Sequence, residues 1–129
     1  MLFDDVTAAT LSSALRGYEA RNLAISNNLA NSETPGYKRL DVSFESALAS
    51  ATHDAHSLSG MARSEAADLV AGVMPSSTAD TVTAMRTDGG NVDPDTEMAA
   101  LARNQLAHQT VTSLLDKHLT LIRTAIIGR

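Results

Sequence analysis

The chain has no cysteine and no tryptophan, and only four of its 129 residues are aromatic: Phe3, Tyr18, Tyr37 and Phe44. Without thiols, neither disulfides nor thiolate metal sites can hold a fold in any compartment, and an oxidising destination is permitted without being required. With so few rings, apolar content falls to Ala, Leu, Val, Ile and Met, small side chains that suit close helix-on-helix packing better than a wide core under a sheet. Cationic charge is also scarce. Ten Lys and Arg stand against fifteen Asp and Glu, a formal net charge of -5 with a pI near 5.2, so phosphate backbones are repelled and nucleic acid is not an expected partner. No apolar run is long enough to span a bilayer, and Met1-Leu2-Phe3-Asp4-Asp5 lacks the basic start and apolar run of a secretory signal peptide. Composition alone reads as cytosolic, unless export uses a different, uncleaved signal.

Reactive constellations are equally thin. There is no G-x-S-x-G elbow, glycine-rich phosphate loop or HExxH helix. No enzyme, cofactor or metal is therefore expected. His53-Asp54-Ala55-His56 shows no matching ligands at zinc-site spacing. His108 and His118, ten residues apart, do not align on one helical face, so each reads as a polar or interfacial contact. Gly89-Gly90 reads as turn chemistry, since it follows no convincing buried strand and lacks a nearby Lys.

What is present is periodicity at both ends. Between about Asp5 and Asn31, Leu11, Leu15, Tyr18, Asn22, Ile25 and Leu29 recur at spacings of four and three, which places them on one helical face. Such a seam is shorter than four heptads and is weakened at Gly17, so it calls for a partner surface. Asn22 reads equally well as a register-setting amide or as a hydrated residue at the stripe's edge. The run Asn28-Leu29-Ala30-Asn31-Ser32-Glu33-Thr34-Pro35-Gly36-Tyr37 then ends the helix with amides and a Pro-Gly pair suited to a type II turn. Leu40, Val42 and Phe44 alternate along an extended arm, followed by two helical turns to Ala51 with Ser43 as cap and Ala47 and Leu48 on the face of Phe44.

Residues 52–80 are rich in Ala, Ser, Thr, Asp and Gly without periodicity, which predicts a flexible linker. Val82 and Met85 suggest a brief strand and a small hairpin before the turn signal Asp88-Gly89-Gly90-Asn91. A second long helix is expected from Asp93 as N-cap and Pro94 at the first helical position, with Asp95 and Glu97 complementing its dipole. Its broad apolar stripe takes in Met98, Leu101, Ala102, Leu106, Val111, Leu114, Leu115, Leu119, Ile122 and Ile126, enough to touch more than one neighbour.

Two separated motifs make the chain recognisable. Arg21 to Asn31, followed by Ser32-Glu33-Thr34-Pro35-Gly36-Tyr37-Lys38 and Asp41-Val42-Ser43-Phe44, and then Asp88 to Met98 continuing through Asn104-Gln105-Leu106 to Leu121-Ile122-Arg123-Thr124-Ala125-Ile126, resemble the flagellar axial proteins, most closely those of the proximal rod. About two thirds of the chain carries the likeness, and the central segment does not. Pro94 and His108 depart from the family pattern, which usually has a larger apolar residue and an aromatic there.

Residue pattern and resemblance together predict a mainly α fold: two long terminal helices, residues 5–31 and 94–127, in an antiparallel coiled-coil-like hairpin, with an extended arm, a short turn or hairpin and a flexible central linker. The expected division is 1–51, 52–80 and 81–129, together one rod-type domain. The resemblance implies a structural subunit of the basal-body rod, the shaft that transmits torque, exported through the flagellar type III apparatus without cleavage and residing in the periplasmic basal body. Implied partners are other copies of the chain, the rod proteins FlgC, FlgF and FlgG, the adaptor FliE and the export apparatus.

The expected assembly motif is Asn28, Leu29, Ala30, Asn31, Thr34, Pro35, Gly36 and Tyr37. Its amides bond at the helix end or across an interface, and Tyr37 docks against neighbouring helices. Expected helix-packing positions are Leu11, Leu15, Tyr18, Ile25, Met98, Leu101, Leu115, Ile122 and Ile126. A cytoplasmic helical adaptor or export chaperone, binding a partner helix through the same stripes, is the alternative.

Overall fold

The computed structural model describes residues 5–57, 62–83 and 86–128. Its elements are, in order, α1 (Asp5–Ala30), β1 (Leu40–Ser43), α2 (Glu45–Ser57), α3 (Arg63–Ala71), β2 (Ser76–Ala79) and α4 (Pro94–Ile127). The fold is mainly helical, with β1 and β2 forming a small antiparallel sheet in the register Leu40 to Ala79 through Ser43 to Ser76.

Helix α4 begins where capping chemistry requires. Asp93 accepts from the Asp95 amide and the Thr96 hydroxyl, Pro94 occupies the first turn, and Gly128 closes the far end at φ 72°. These interactions satisfy end groups that the helix's own ladder leaves open. At 26 and 34 residues, α1 and α4 are about 39 and 51 Å long at 1.5 Å per residue. Contact pairs run in reverse order along them: Asn28 meets Glu97, and the Tyr18 carbonyl accepts from Asn104 Nδ2 at 2.9 Å. Continued along both helices, this register carries about the last three turns of α4 past Asp5, where the described chain begins.

The core lies on the other flank of α1. Val6, Ala24, Val42, Phe44, Leu48, Ala66 and Val70 form one buried cluster, flanked by Ala9, Ala20 and Tyr18. Val6, Ala9, Ser13, Gly17, Ala20 and Ala24 follow one another at spacings of three and four, so a stripe of mostly small residues faces β1, α2 and α3. The Phe44 ring lies over Gly17 and meets Tyr18 edge-on, with centroids 5.1 Å apart, while the Arg21 guanidinium stands 5.0 Å from its centre. Large side chains mark only the seam, and the small residues of this second stripe carry no such signal in the sequence. Of that seam, Ile25 is buried, Leu11, Leu15, Tyr18 and Leu29 are half-buried, and Asn22 is exposed, its hydrated reading.

Four local expectations need correction. Phe44, not Ser43, stands at the cap of α2: its carbonyl accepts from the Leu48 amide at 2.8 Å, and Ser43 ends β1. Leu48 is buried beside Phe44, but Ala47 points to solvent. The segment 52–80 holds more regular structure than its composition suggests, containing the end of α2, all of α3 and β2. Burial of Ala66 and Val70 against α1 organises it, together with the Ser13 hydroxyl donating to the Val70 carbonyl at 3.0 Å. The pair Arg86–Gly89 closes a turn before Gly90, with Gly89 at φ 82°, but Val82 lies outside any strand and is 94% exposed. Met85, the other residue of the expected strand, lies outside the described residues. The partner that a hairpin would have provided is instead β2, paired with β1 from more than thirty residues away.

Candidate functional site

The Pro-Gly motif sits at the end of α1, where four chain segments converge. Tyr37 N–H donates to the Thr34 carbonyl at 3.2 Å and Gly36 has φ 73°, as a type II turn with glycine third requires. Against this turn lies the second glycine loop. Gly36 N–H donates to the Asp88 carbonyl at 3.0 Å, Lys38 Nζ to the Gly89 carbonyl at 2.6 Å, and a Cβ on Gly89 would stand 3.7 Å from the Gly36 Cα.

Asn28 is the centre of the site and is fully buried. Its Oδ1 accepts from the Leu40 amide at 2.8 Å and the Tyr37 hydroxyl at 3.4 Å, while its Nδ2 donates to the Leu40 carbonyl at 2.9 Å and to Glu97 Oε2 at 3.0 Å. One side chain thus satisfies both backbone groups of the first residue of β1 and joins α1 to α4. Glu97, also fully buried, takes the Arg39 Nε at 2.5 Å on its other oxygen. Arg39 extends the network through its backbone: its N–H donates to Asn91 Oδ1 at 2.7 Å, its carbonyl accepts from the Asp80 amide at 2.7 Å, and Asn91 Nδ2 returns to the Asp80 carbonyl at 2.8 Å. Burial, with the Glu97 charge adding to it, raises the Tyr37 pKa, so its hydroxyl remains a donor.

Carboxylates brace the loop from outside. The Thr83 hydroxyl and the Thr83 and Val82 amides draw the Asp80 carboxyl from the ordinary 3.8 down to about 2, and Arg86 with the Gly90 amide does the same for Asp88.

The expected motif residues divide into distinct roles. Asn28 bonds across segments of the chain, whereas Asn31 caps its own helix, giving Nδ2 to the Asn27 carbonyl at 2.9 Å and accepting the Thr34 hydroxyl at 3.3 Å. Leu29 and Tyr37 are half-buried, and Ala30, Thr34, Pro35 and Gly36 are exposed. Among packing positions on α4, Leu101, Leu115 and Ile122 are half-buried, while Met98 is 57% and Ile126 69% exposed. Glu97, expected to complement the helix dipole, instead turns inward to Asn28 and Arg39. Its place four residues before Leu101, on the stripe itself, was the available signal that it turns inward. Arg39, Asn91 and Asn104 carried no such mark, because their partners depend on tertiary proximity. His53 and His56 lie on the exposed side of α2, and His108 and His118 are half-buried on α4.

Residues 10–38, most of α1 through the turn, match the family model described as flagella basal body rod protein. Curated relatives named flagellar basal body rod protein FlgB extend the likeness. One from Borreliella burgdorferi is 35% identical over 73% of this chain and 76% of its own length. The relative from Cereibacter sphaeroides is 34% identical over 85% of each. That from Bacillus subtilis is 28% identical over 95% of this chain and 94% of its own.

Proposed function

Because the chain belongs to the FlgB family of flagellar basal body rod proteins, and is a structural subunit of that rod assembling with other rod components, we propose that it builds the proximal part of the shaft by helix packing. In this reading α1 and α4 form an antiparallel coiled-coil-like hairpin within the subunit, and the faces it leaves uncovered pack against neighbours. The carrying observation is the apolar surface that α4 leaves uncovered. Met98, Leu106 and Leu114, all about half or more exposed, lie off the stripe engaged by α1, and Leu119 and Ile126, equally exposed, lie on that stripe beyond the level of Asp5. A solitary molecule gains nothing from so much exposed Leu and Ile, whereas a subunit covered on assembly does.

The motif of Asn28, Leu29, Ala30, Asn31, Thr34, Pro35, Gly36 and Tyr37 serves this assembly by holding turn, arm and helix ends in one presentable surface. Leu11, Leu15, Tyr18, Ile25, Met98, Leu101, Leu115, Ile122 and Ile126 supply the packing, some within the subunit and some between subunits. Other copies, FlgC, FlgF, FlgG and the adaptor FliE are the neighbours. The chain travels through the flagellar type III apparatus without a cleaved signal and works in the periplasm as a building block, not a catalyst.

Met98→Asp and Leu106→Asp test this, because both side chains are exposed and their replacement spares the subunit's fold. Folded, exported chain absent from basal bodies is the expected result. Rods of normal composition with both substitutions present would overturn the proposal.

A further inference from the structure

Helices α1 and α4 do not close completely where Asn104 reaches across to Tyr18. A cleft of about 190 Å³ opens there, with Glu19 and Asn22 on its α1 side and Gln105 and His108 on its α4 side. Asn104 lines it and is only 5% exposed, yet its Oδ1 is buried without a hydrogen-bond partner. Reversing the amide is no remedy, because Nδ2 donates to the Tyr18 carbonyl at 2.9 Å and Oδ1 in its place would face another acceptor. Such an acceptor carries its desolvation penalty until a donor reaches it. Glu19, exposed, is the one acid lining the cleft, and neither Lys nor Arg lines it. The nearest cations on α1 are turned elsewhere. Arg16 donates to the Ala71 carbonyl at 2.5 Å, and Arg21 pairs with Glu45 at 2.5 Å. Among the described residues Glu19 forms no ion pair.

The complementary charge stands at the same level on the other flank. Arg103 is turned about 200° from Gln105 around α4 and lies beside Tyr18 and Asn104 from the opposite side. It is exposed. The positions three and four away on its helix are Ala99, Ala100, Leu106 and Ala107, so no carboxylate of α4 meets it, and the Glu45 carboxylate on that flank is taken by Arg21. Among the described residues Arg103 also forms no ion pair.

Resting on the rod-subunit reading, we propose that this cleft receives the Arg103 guanidinium of a second copy of this chain standing alongside. Its planar fork of five N–H donors is enough to pair with the Glu19 carboxylate and to give Asn104 Oδ1 the donor it lacks. Charge names the occupant: the cleft holds an unpaired acid and an unpartnered acceptor, and Arg103 is an unpaired cation at the same height on the facing flank. Each copy that gives its arginine keeps its own cleft open, so the contact repeats sideways from copy to copy instead of closing a pair.

Both side chains are exposed, so reversing either charge spares the fold. Arg103→Glu alone and Glu19→Arg alone are each expected to lower the chain recovered in basal bodies about tenfold, and both substitutions in one chain to restore it. Full recovery with Arg103→Glu, or no restoration in the combined chain, overturns the pairing. A loss confined to Glu19→Arg also overturns it, by giving the cleft to a cation of a different protein. The absence of cysteine allows a second arm. Copies carrying Glu19→Cys and copies carrying Arg103→Cys are produced together beside the unmodified chain, and isolated basal bodies are treated with a short thiol crosslinker. A dimer containing one of each is expected. Self-dimers of either variant, or no crosslink in rods that contain both, overturn the contact. Absence of the unmodified chain from basal bodies would instead refute the rod reading itself.

Discussion

Phe44 occupies the place where Gly17 lacks a side chain: a Cβ at residue 17 would come within 2.5 Å of three carbons of the Phe44 ring. The glycine that weakens α1 as an isolated helix is therefore what lets the arm approach it. Gly17→Ala brings two opposed effects. Helix propensity favours Ala by roughly 1 kcal/mol, while displacing a buried ring in a packed core costs about 1–3 kcal/mol. The clash wins, because Phe44 is only 3% exposed and is held by both Tyr18 and Arg21. Thermal unfolding followed by circular dichroism should show a lower Tm for Gly17→Ala and partial recovery when Phe44→Leu is added. A higher Tm for the single variant would mean that the ring is not seated there.

The Asn28 junction gives a coupled outcome. Asn28→Ala leaves the Leu40 amide and carbonyl and one Glu97 oxygen without their partner, a loss of about 2–4 kcal/mol. Glu97→Gln removes the charge facing Arg39 while keeping the size. Denaturant unfolding of both single variants and the double variant should give a non-additive cycle, since the residues share one network. Strict additivity would show that the two do not act together.

Gly36 separates backbone conformation from space. No atom lies within 4 Å of a Cβ built there, so only its φ of 73° resists substitution. Gly36→Ala should cost about 1–2 kcal/mol, and Gly36→Asn less, because Asn tolerates the left-handed region better. Equal unfolding midpoints for the two variants would contradict this turn.

Acid should loosen the loop between β2 and α4 first. Asp80 and Asp88 have carboxyl pKa values near 2, below the ordinary 3.8. Their stabilising contribution is thus present above about pH 4 and is lost as pH falls from there through 2. Amide exchange at Thr83 and Gly90, read by NMR across that range, should accelerate while the α4 interior stays protected. Asp88→Asn should remove the Gly90 part of the effect.

Legibility in the sequence followed the range of the interactions. Asp93-Pro94 at one end of α4 and the Pro-Gly turn after α1 are set by neighbouring residues, so their local chemistry was readable. The alternation of Leu40, Val42 and Phe44 gave the arm for the same reason, with Val42 and Phe44 buried and Leu40 half-buried. β2 was hidden because Ser76-Ser77-Thr78-Ala79 is exposed at every position and has no apolar alternation to betray a strand. α3 was hidden because its inward face is a single Ala and a single Val, Ala66 and Val70. The inward role of Glu97 was hidden because a carboxylate in a first helical turn already has a sufficient local explanation, and its partners lie at Arg39 and Asn28.

Sixty-nine positions separate Asn28 from Glu97 along the chain. A polypeptide threaded end-first through a narrow opening leads with one half of that bond and must wait for the other. Until residue 97 has passed, the first helix has no acid to meet its amide and Arg39 no carboxylate to enter. On the export route proposed above, with the N-terminus leading, the contacts around Asn28 would close only once residue 97 had followed.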